Sequence, residues 1–148
     1  MEFKTPFTVR YAETDMMGIV YHANYLLYFE DARADLLHQL GFSYTDLEED
    51  GYVCPILGVN VSYHSSLRYG ENAYVLTQIL KHRPSKTTYY HRIFRDDMDP
   101  EKDAPLVEAT VDICTIERAS FKPTTLKKAC PELNEIYRKL VEGLPLDE

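Results

Sequence analysis

Cysteine is scarce in this chain, and the three that occur, Cys54, Cys114 and Cys130, are odd in number and lack CxxC spacing. That excludes a disulfide framework and offers no zinc pattern. Long apolar runs are missing too: no stretch approaches the roughly 20 residues that a membrane helix needs. The first residues, MEFKTPFTVR, lack the basic-then-apolar order of a secretory signal. A cytoplasmic protein without membrane insertion is the expectation. Positive charge is the minority sign, 16 Lys and Arg against 24 Asp and Glu, for a formal net charge of −8. Delocalised binding to nucleic acid or anionic membrane is therefore disfavoured, although a local basic patch can still hold a small phosphorylated ligand. There is no internal repeat and no low-complexity segment.

What is present suffices for one domain spanning 1–148, since 148 residues at 45% hydrophobic content can close a real core. Phe3, Thr5, Phe7 and Val9 alternate as one face of a first strand, and Pro6 near its start asks for an edge position. The run AETDMMGIV, residues 12–20, reads as a loop leading into a helix near Tyr21 to Asn24. From Tyr25 to Leu40, Tyr25, Phe29, Ala32, Leu36 and Leu40 recur at helical spacing. Leu26, Tyr28 and Leu37 widen that stripe, so the helix is expected to be largely buried. Gly41 stands where a C-cap belongs, and Ser43 or Thr45 can begin a short helical turn through Glu49.

Four segments rich in β-branched and aromatic residues follow: Tyr52 to Leu67, Asn72 to His82, Lys86 to Asp96 and Leu106 to Glu117. Arg68, Tyr69 and Gly70, then Arg83, Pro84 and Ser85, suit short connections, which predicts antiparallel meanders, with Asp97 to Ala104 a longer polar loop. In the last strand Val107, Ala109, Val111 and Ile113 alternate with polar residues, so one face is buried. A single sheet wrapping one central helix satisfies this α+β order. Beyond Pro123 a small C-terminal helix at about 131–141, with Leu133, Ile136, Tyr137 and Leu140 on one face, is expected to dock on the sheet's edge.

The chemistry-bearing candidate is Asp15, seven residues before His22 with Gly18 between them, at the entry to the long helix. Free amides at a helix N-terminus polarise a carbonyl and stabilise the oxyanion formed when it is attacked. A carboxylate facing them acts as a nucleophile or activates water. The bland alternative is that Asp15 or Thr14 caps a turn and that His22 packs among Tyr21, Ala23 and Tyr25; spacing does not decide between them. Glu30 reads as structural, pairing with Arg33 at i+3. His38, His64, His82 and His91 show no metal-ligand spacing, and Cys54 has no recognisable histidine partner, so neither a metal nor a nucleophilic cysteine is expected.

The run RYAETDMMGIVYHANYLLYFEDAR, Arg10 to Arg33, resembles the signature of the 4-hydroxybenzoyl-CoA thioesterase family and its bacterial relatives that cleave short-chain or aromatic acyl-CoAs. The segment from Ser66 to Val75, SLRYGENAYV, looks like that family's PARYGD-type turn, with Ser66 where proline is usual. The resemblance spans Arg10 to about Glu117. It implies a hot-dog fold, a five-stranded antiparallel sheet wrapped around a long helix, whose subunits join sheets edge to edge as a homodimer or a homotetramer of two dimers. It also implies an acyl-CoA substrate, no separate cofactor, Asp15 as the catalytic carboxylate, and the His22 amide as the thioester-carbonyl ligand, at sites on the dimer interface. Gly18, Tyr21 and Tyr25 are carried over as substrate-binding. Arg68, Lys81, Arg83 and Lys86 lie near expected strand ends, where Arg68, Arg83 and Lys86 are the candidates for the coenzyme A phosphates. Tyr25, Tyr28, Phe29 and Val59 line an acyl pocket or belong to the core. A hot-dog hydratase or dehydratase and a non-catalytic acyl-CoA-binding module are the competing readings.

Overall fold

The computed structural model describes residues 1–146. Strand β1 (Phe3–Thr8) leads through a short 3-10 turn and a loop into a second 3-10 turn, His22–Asn24, and then helix α1 (Tyr25–Gln39). A short helix α2 (Tyr44–Glu49) precedes β2 (Tyr52–Val53), β3 (Ile56–Tyr63), β4 (Asn72–Arg83), β5 (Lys86–Arg95), β6 (Val107–Ile113), β7 (Thr115–Glu117) and β8 (Pro123–Thr124). Helices α3 (Leu126–Ala129) and α4 (Pro131–Glu142) follow. The main sheet is antiparallel with the order β1-β4-β5-β6-β3. This is the expected hot-dog architecture: α1 lies against the sheet, with Tyr28, Phe29 and Ala32 packed on Val75, Ile93 and Val107, and Leu36 and Leu37 on Ile79, Tyr89 and Val111. Each Val, Leu, Ile or Phe side chain among them contributes about 1.5–3 kcal/mol by leaving water.

Local chemistry sets the boundaries. Pro6 sits in β1, which is an edge strand, so its missing N–H costs no ladder bond on the open side. Gly41 ends α1 at φ 88, where its amide donates to the His38 carbonyl and the Phe42 amide donates to the Leu37 carbonyl. That double bond is a Schellman motif, which needs the left-handed residue that glycine supplies without strain. Ser43 caps α2 by accepting from the Asp46 amide.

Four expectations are corrected. Strand β3 does not turn back on β4; it pairs with β6 at the far edge, and residues 64–71 cross the end of the sheet instead of forming a hairpin. That crossing is pinned where Val20 donates to the Leu67 carbonyl and the Tyr25 hydroxyl accepts from the Leu67 amide. The segments 52–67 and 106–117 are each divided, at Cys54–Pro55 and at Cys114, and β2, β7 and β8 form a separate three-stranded sheet. Proline without a donor, and the Cys114 amide turned to the Pro55 carbonyl, break the periodicity that suggested continuous strands. Helix α4 packs Leu133, Tyr137 and Leu140 onto the helix-side core with Tyr89 of central β5, rather than on the edge. The long helix is also less covered than its stripe implied, because Leu26 and Leu27 are 40% and 48% exposed.

One polar network lies inside this core. His91 on β5 is fully buried, stacked on Phe29, with Tyr89 parallel to it. Its Nε2 faces Arg33 Nη1 at 3.2 Å, and its Nδ1 faces Thr77 Oγ1 at 2.9 Å. A guanidinium only donates, so Nε2 accepts and the proton sits on Nδ1, donated to Thr77. Burial, and then the Arg33 charge, hold His91 well below its ordinary value of 6.5. The unfolded chain therefore takes up a proton that the folded chain refuses, so this contribution to stability is complete above about pH 6.5 and is lost as pH falls below it. We expect denaturant-measured stability to decline below pH 6.5 by up to about 1.4 kcal/mol per pH unit, and the His91→Gln protein to lack that part of the slope. Identical slopes in the two proteins would contradict it.

Candidate active site

The loop carrying Asp15 is held as a miniature ladder. Thr14 bridges Val20, the Asp15 amide donates to the Ile19 carbonyl and the Tyr21 amide donates to the Glu13 carbonyl. Asp15 stands at its tip, partly exposed, where its Oδ1 accepts from the Met17 amide at 2.9 Å. The turn-closing role foreseen for Asp15 thus exists, and it occupies one carboxylate oxygen while leaving the second without a hydrogen-bond partner among the described residues. Gly18 closes the turn at φ 77 with the Arg68 guanidinium beside it: an added Cβ there would lie 4.0 Å from Nη1. Backbone conformation, not lack of space, selects glycine.

The base of the loop rests on contacts that the sequence reading did not foresee. Glu13 is buried, its carboxylate accepting from the Arg10 amide and from the Tyr28 hydroxyl at 3.0 Å, and its carbonyl receiving Asn24 Nδ2 at 2.9 Å. Burial, reinforced by Glu13, raises the Tyr28 phenol far above its ordinary range, so it stays a donor. The signal was available: a tyrosine on the buried face of a helix needs a partner for its hydroxyl, and an acidic residue inside a core must be the one receiving it.

His22 opens the second 3-10 turn, and the first amides of such a turn have no carbonyl behind them. Its side chain is exposed between Tyr21, ring centroids 4.5 Å apart, and Tyr63 at 6.3 Å; its carbonyl accepts from the Tyr63 hydroxyl at 2.9 Å. Tyr63 thereby ties the turn to the free edge strand β3. Along the ladder, His22 is three residue steps from the position opposite Asp15, about 10 Å of extended backbone. An open hollow of about 580 Å³ is lined by Asp15, Thr14, Gly18, Met16, Tyr11 and Tyr69, so the carboxylate is reachable from solvent.

The other candidates divide. Tyr25 is only 2% exposed and spends its hydroxyl on the Leu67 amide, which makes it a support beneath the His22 turn; Tyr28 and Phe29 are likewise core, whereas Val59 is exposed. The basic residues do not form one cluster within the chain. Arg68 adjoins the Asp15 loop, while Lys81, Arg83 and Lys86 lie at the opposite end of the sheet, around a hollow of about 250 Å³ where Lys86 pairs with Asp112 at 3.6 Å. Glu30 makes no ion pair with Arg33; Arg33 turns inward to His91 instead. Cys54 is pushed up to about 11 by burial, with the Thr115 hydroxyl pulling the other way, so it stays a thiol at neutral pH. No group of three or more His, Cys, Asp or Glu side chains among the described residues could hold a metal ion, and no helix among them is long and apolar enough to cross a membrane.

Comparison with known proteins agrees with this geometry. The family description "thioesterase-like superfamily" matches residues 9–133. The putative acyl-CoA thioesterase YneP of Bacillus subtilis is 41% identical over 92% of this chain and 95% of its own length. The acyl-CoA thioester hydrolase YbgC of Escherichia coli is 28% identical over 86% and 91%. Among solved structures, the DHNA-CoA thioesterase of Staphylococcus aureus superposes with a TM-score of 0.87 at 35% identity, covering 98% of this chain and 97% of that one. A five-stranded sheet wrapped on α1, an exposed carboxylate loop ahead of that helix and relatives of this kind carry one conclusion: the chain is a hot-dog thioester hydrolase and belongs to the thioesterase-like superfamily.

Proposed function

We propose that the protein hydrolyses a short-chain or aromatic acyl-CoA to the free acid and CoA, with Asp15 as nucleophile or general base and the His22 amide as oxyanion donor. The observation that carries this is the placement of an open carboxylate and a free-amide turn on one short ladder. A thioester carbonyl held between them needs roughly 3 Å on each side, which the separation along the ladder accommodates once the Asp15 side chain reaches inward. In the nucleophilic route an Asp15 oxygen bonds to the thioester carbon, the C–S bond breaks and CoA leaves with a proton, and water then opens the anhydride. In the general-base route, Asp15 takes the proton of the attacking water. The aromatic side of the substrate range is favoured by the 35%-identical relative that is named for DHNA-CoA.

The catalytic unit in this reading is a homodimer joined along β3, with two sites, and two dimers make the homotetramer. Strand β3 is bonded on one side only, and Ile56, Leu57, Val59 and Tyr63 are exposed along it. Antiparallel pairing of two copies brings the Tyr63 end of one strand to the Ile56 end of the other. The Arg83 and Lys86 end of the partner then lies at the same end of the joined sheet as Arg68, so a CoA phosphate is met from both subunits. A cytoplasmic location suits the three free thiols.

The test is thiol release from acetyl-, butyryl-, hexanoyl-, palmitoyl- and benzoyl-CoA. Release from at least one is expected, and none from any would sink the proposal. Arg68→Ala should raise KM for the CoA ester about tenfold with kcat nearly kept, because a phosphate contact acts alike on ground and transition states; the wild-type KM should also rise with salt. An unchanged KM would remove Arg68 from the binding site.

A further inference from the structure

Two pieces of the site must be held at one separation, and neither has much of its own to hold it. Residues 14–20 stand out as a narrow ladder with Asp15 and the exposed Met16 and Met17 at its tip. The His22 turn is three residues long. What the two share is Glu13. Its backbone carbonyl accepts from the Tyr21 amide at 2.9 Å and from Asn24 Nδ2 at 2.9 Å, one donor at each end of the His22 turn. Two residues further along the same side of the ladder stands Asp15. Glu13 is therefore the joint from which the carboxylate and the turn amides both take their places.

The Glu13 side chain shows what fixes the joint. It is 8% exposed, and a carboxylate that has left water is costly unless donors replace the water. Oε1 accepts from the Arg10 amide at 2.7 Å and from the Tyr28 hydroxyl at 3.0 Å, while Oε2 lies 3.5 Å from Arg10 Nε. The Arg10 side chain is largely exposed, so that ion pair is screened and adds little. The hydroxyl is the partner that reaches across the fold. Tyr28 is buried on α1, with its ring stacked on Phe7 of β1 at 4.1 Å and edge-on to Tyr25 at 5.8 Å, and Tyr25 in turn accepts from the Leu67 amide. An apolar side chain would fill the place of Glu13 at less desolvation cost. What it would lack is direction, since a hydrogen-bonded group inside a core is fixed in orientation as well as in place.

We propose that Glu13 is a positioning residue for hydrolysis: its carboxylate, locked by Tyr28, sets the separation between Asp15 and the His22 turn, so that a thioester carbon meets both at once. The proposal rests on the reading of Asp15 and His22 given above. Glu13 exchanges no proton and touches no substrate. Both of its core bonds end on Oε1, and an amide oxygen accepts as a carboxylate oxygen does. The role therefore belongs to the acceptor and not to the charge. Glutamine fills it, whereas alanine leaves the Tyr28 hydroxyl without its acceptor and the loop free to turn about residue 13. Displacing the reacting oxygen by about 1 Å costs on the order of 10²-fold in rate, so a small rotation there is enough.

The experiment measures kcat and KM per folded molecule, for the best acyl-CoA of the panel, in wild type, Glu13→Gln, Glu13→Ala and Tyr28→Phe, together with hydrogen exchange of the Asp15 and Tyr21 amides. Glu13→Ala should lower kcat about 30-fold and Tyr28→Phe about fivefold, with KM within about twofold of wild type. Glu13→Gln should keep kcat within about threefold. Exchange at both amides should quicken about tenfold in Glu13→Ala and Tyr28→Phe and stay unchanged in Glu13→Gln. In an Asp15→Asn background, Glu13→Ala should cost about threefold or less, because the placement of a group that no longer reacts is immaterial. An unchanged kcat in Glu13→Ala and Tyr28→Phe, an equal loss in Glu13→Gln and Glu13→Ala, or the full loss repeated beside Asp15→Asn overturns the proposal while leaving thioester hydrolysis standing. Should Glu13→Ala not fold, Tyr28→Phe, which removes a single oxygen, carries the comparison with Glu13→Gln. No thiol release from wild type is the failure of the thioesterase reading. Exchange needs no turnover and still decides on the joint: faster exchange in Tyr28→Phe supports it, and unchanged exchange refutes it.

Discussion

Asp15→Asn is expected to lose about 10²–10⁴-fold in kcat for thiol release while unfolding at the same denaturant concentration as wild type. The asymmetry follows from what each carboxylate oxygen does. Oδ1 closes the turn by accepting from the Met17 amide, and the asparagine carbonyl oxygen accepts in the same way. The loop ladder through Thr14 and Val20 uses backbone atoms and is untouched. What the amide cannot do is attack a thioester carbon or take a proton from water. Residual activity is expected from the turn amides at His22, which still polarise the carbonyl. Asp15→Glu keeps the charge but displaces it by a methylene, and a misplacement of about 1 Å already costs on the order of 10²-fold. Thiol release by Asp15→Asn at the wild-type rate would remove Asp15 from the chemistry. Mass analysis of rapidly quenched enzyme then separates the two routes, since only nucleophilic attack leaves the acyl group on Asp15.

The fold was legible wherever burial alternates cleanly. Val107 to Ile113 alternates buried and half-buried residues as its sequence pattern implies, and α1 ends at the glycine that terminates its periodicity. Strand partners were not legible, because period-two alternation describes one strand and says nothing about its neighbour. Residues 68–70 have turn chemistry, yet the turn serves a crossing whose anchor is the long-range contact of Leu67 with Tyr25 and Val20. The division at Cys114 was invisible for a similar reason, since Thr115 and Ile116 continue the β-branched pattern while pairing in another sheet.

At the site, the sequence located Asp15, Gly18 and His22 within a motif, and the structure supplied what holds them. Glu13 and Tyr28 are fifteen residues apart in the chain and meet only because the loop folds back on α1. The i+3 spacing of Glu30 and Arg33 suggested an ion pair, and that pairing is absent because helical spacing gives proximity on the helix surface without giving the depth of each residue. Arg33 lies on the inward side, where His91 of β5 competes for it.

A charge placed on the free strand should have the second largest effect. Val59 is 41% exposed, lies near the midpoint of the eight-residue β3, and shares the helix-side face with Val61 and Tyr63, opposite the core residues Val111, Ala109 and Val107. Val59→Lys should leave the isolated fold nearly as stable, because the ammonium reaches water there. In a paired seam two lysines meet close to the two-fold axis with no water between them, and desolvation plus repulsion of like charges disfavours the pair by several kcal/mol. Light scattering should then find particles of 17.2 kDa in place of dimers or tetramers. Thiol release should fall by about 100-fold, since each site has lost the Arg83 and Lys86 end of its partner that helps to position the CoA ester. Mixing Val59→Lys with Val59→Glu chains should restore both mass and activity, because the axis sets the opposite charges side by side. A monomeric Val59→Lys protein with wild-type turnover would show that one chain makes a complete site, and a variant that remained dimeric would show that β3 is not the seam.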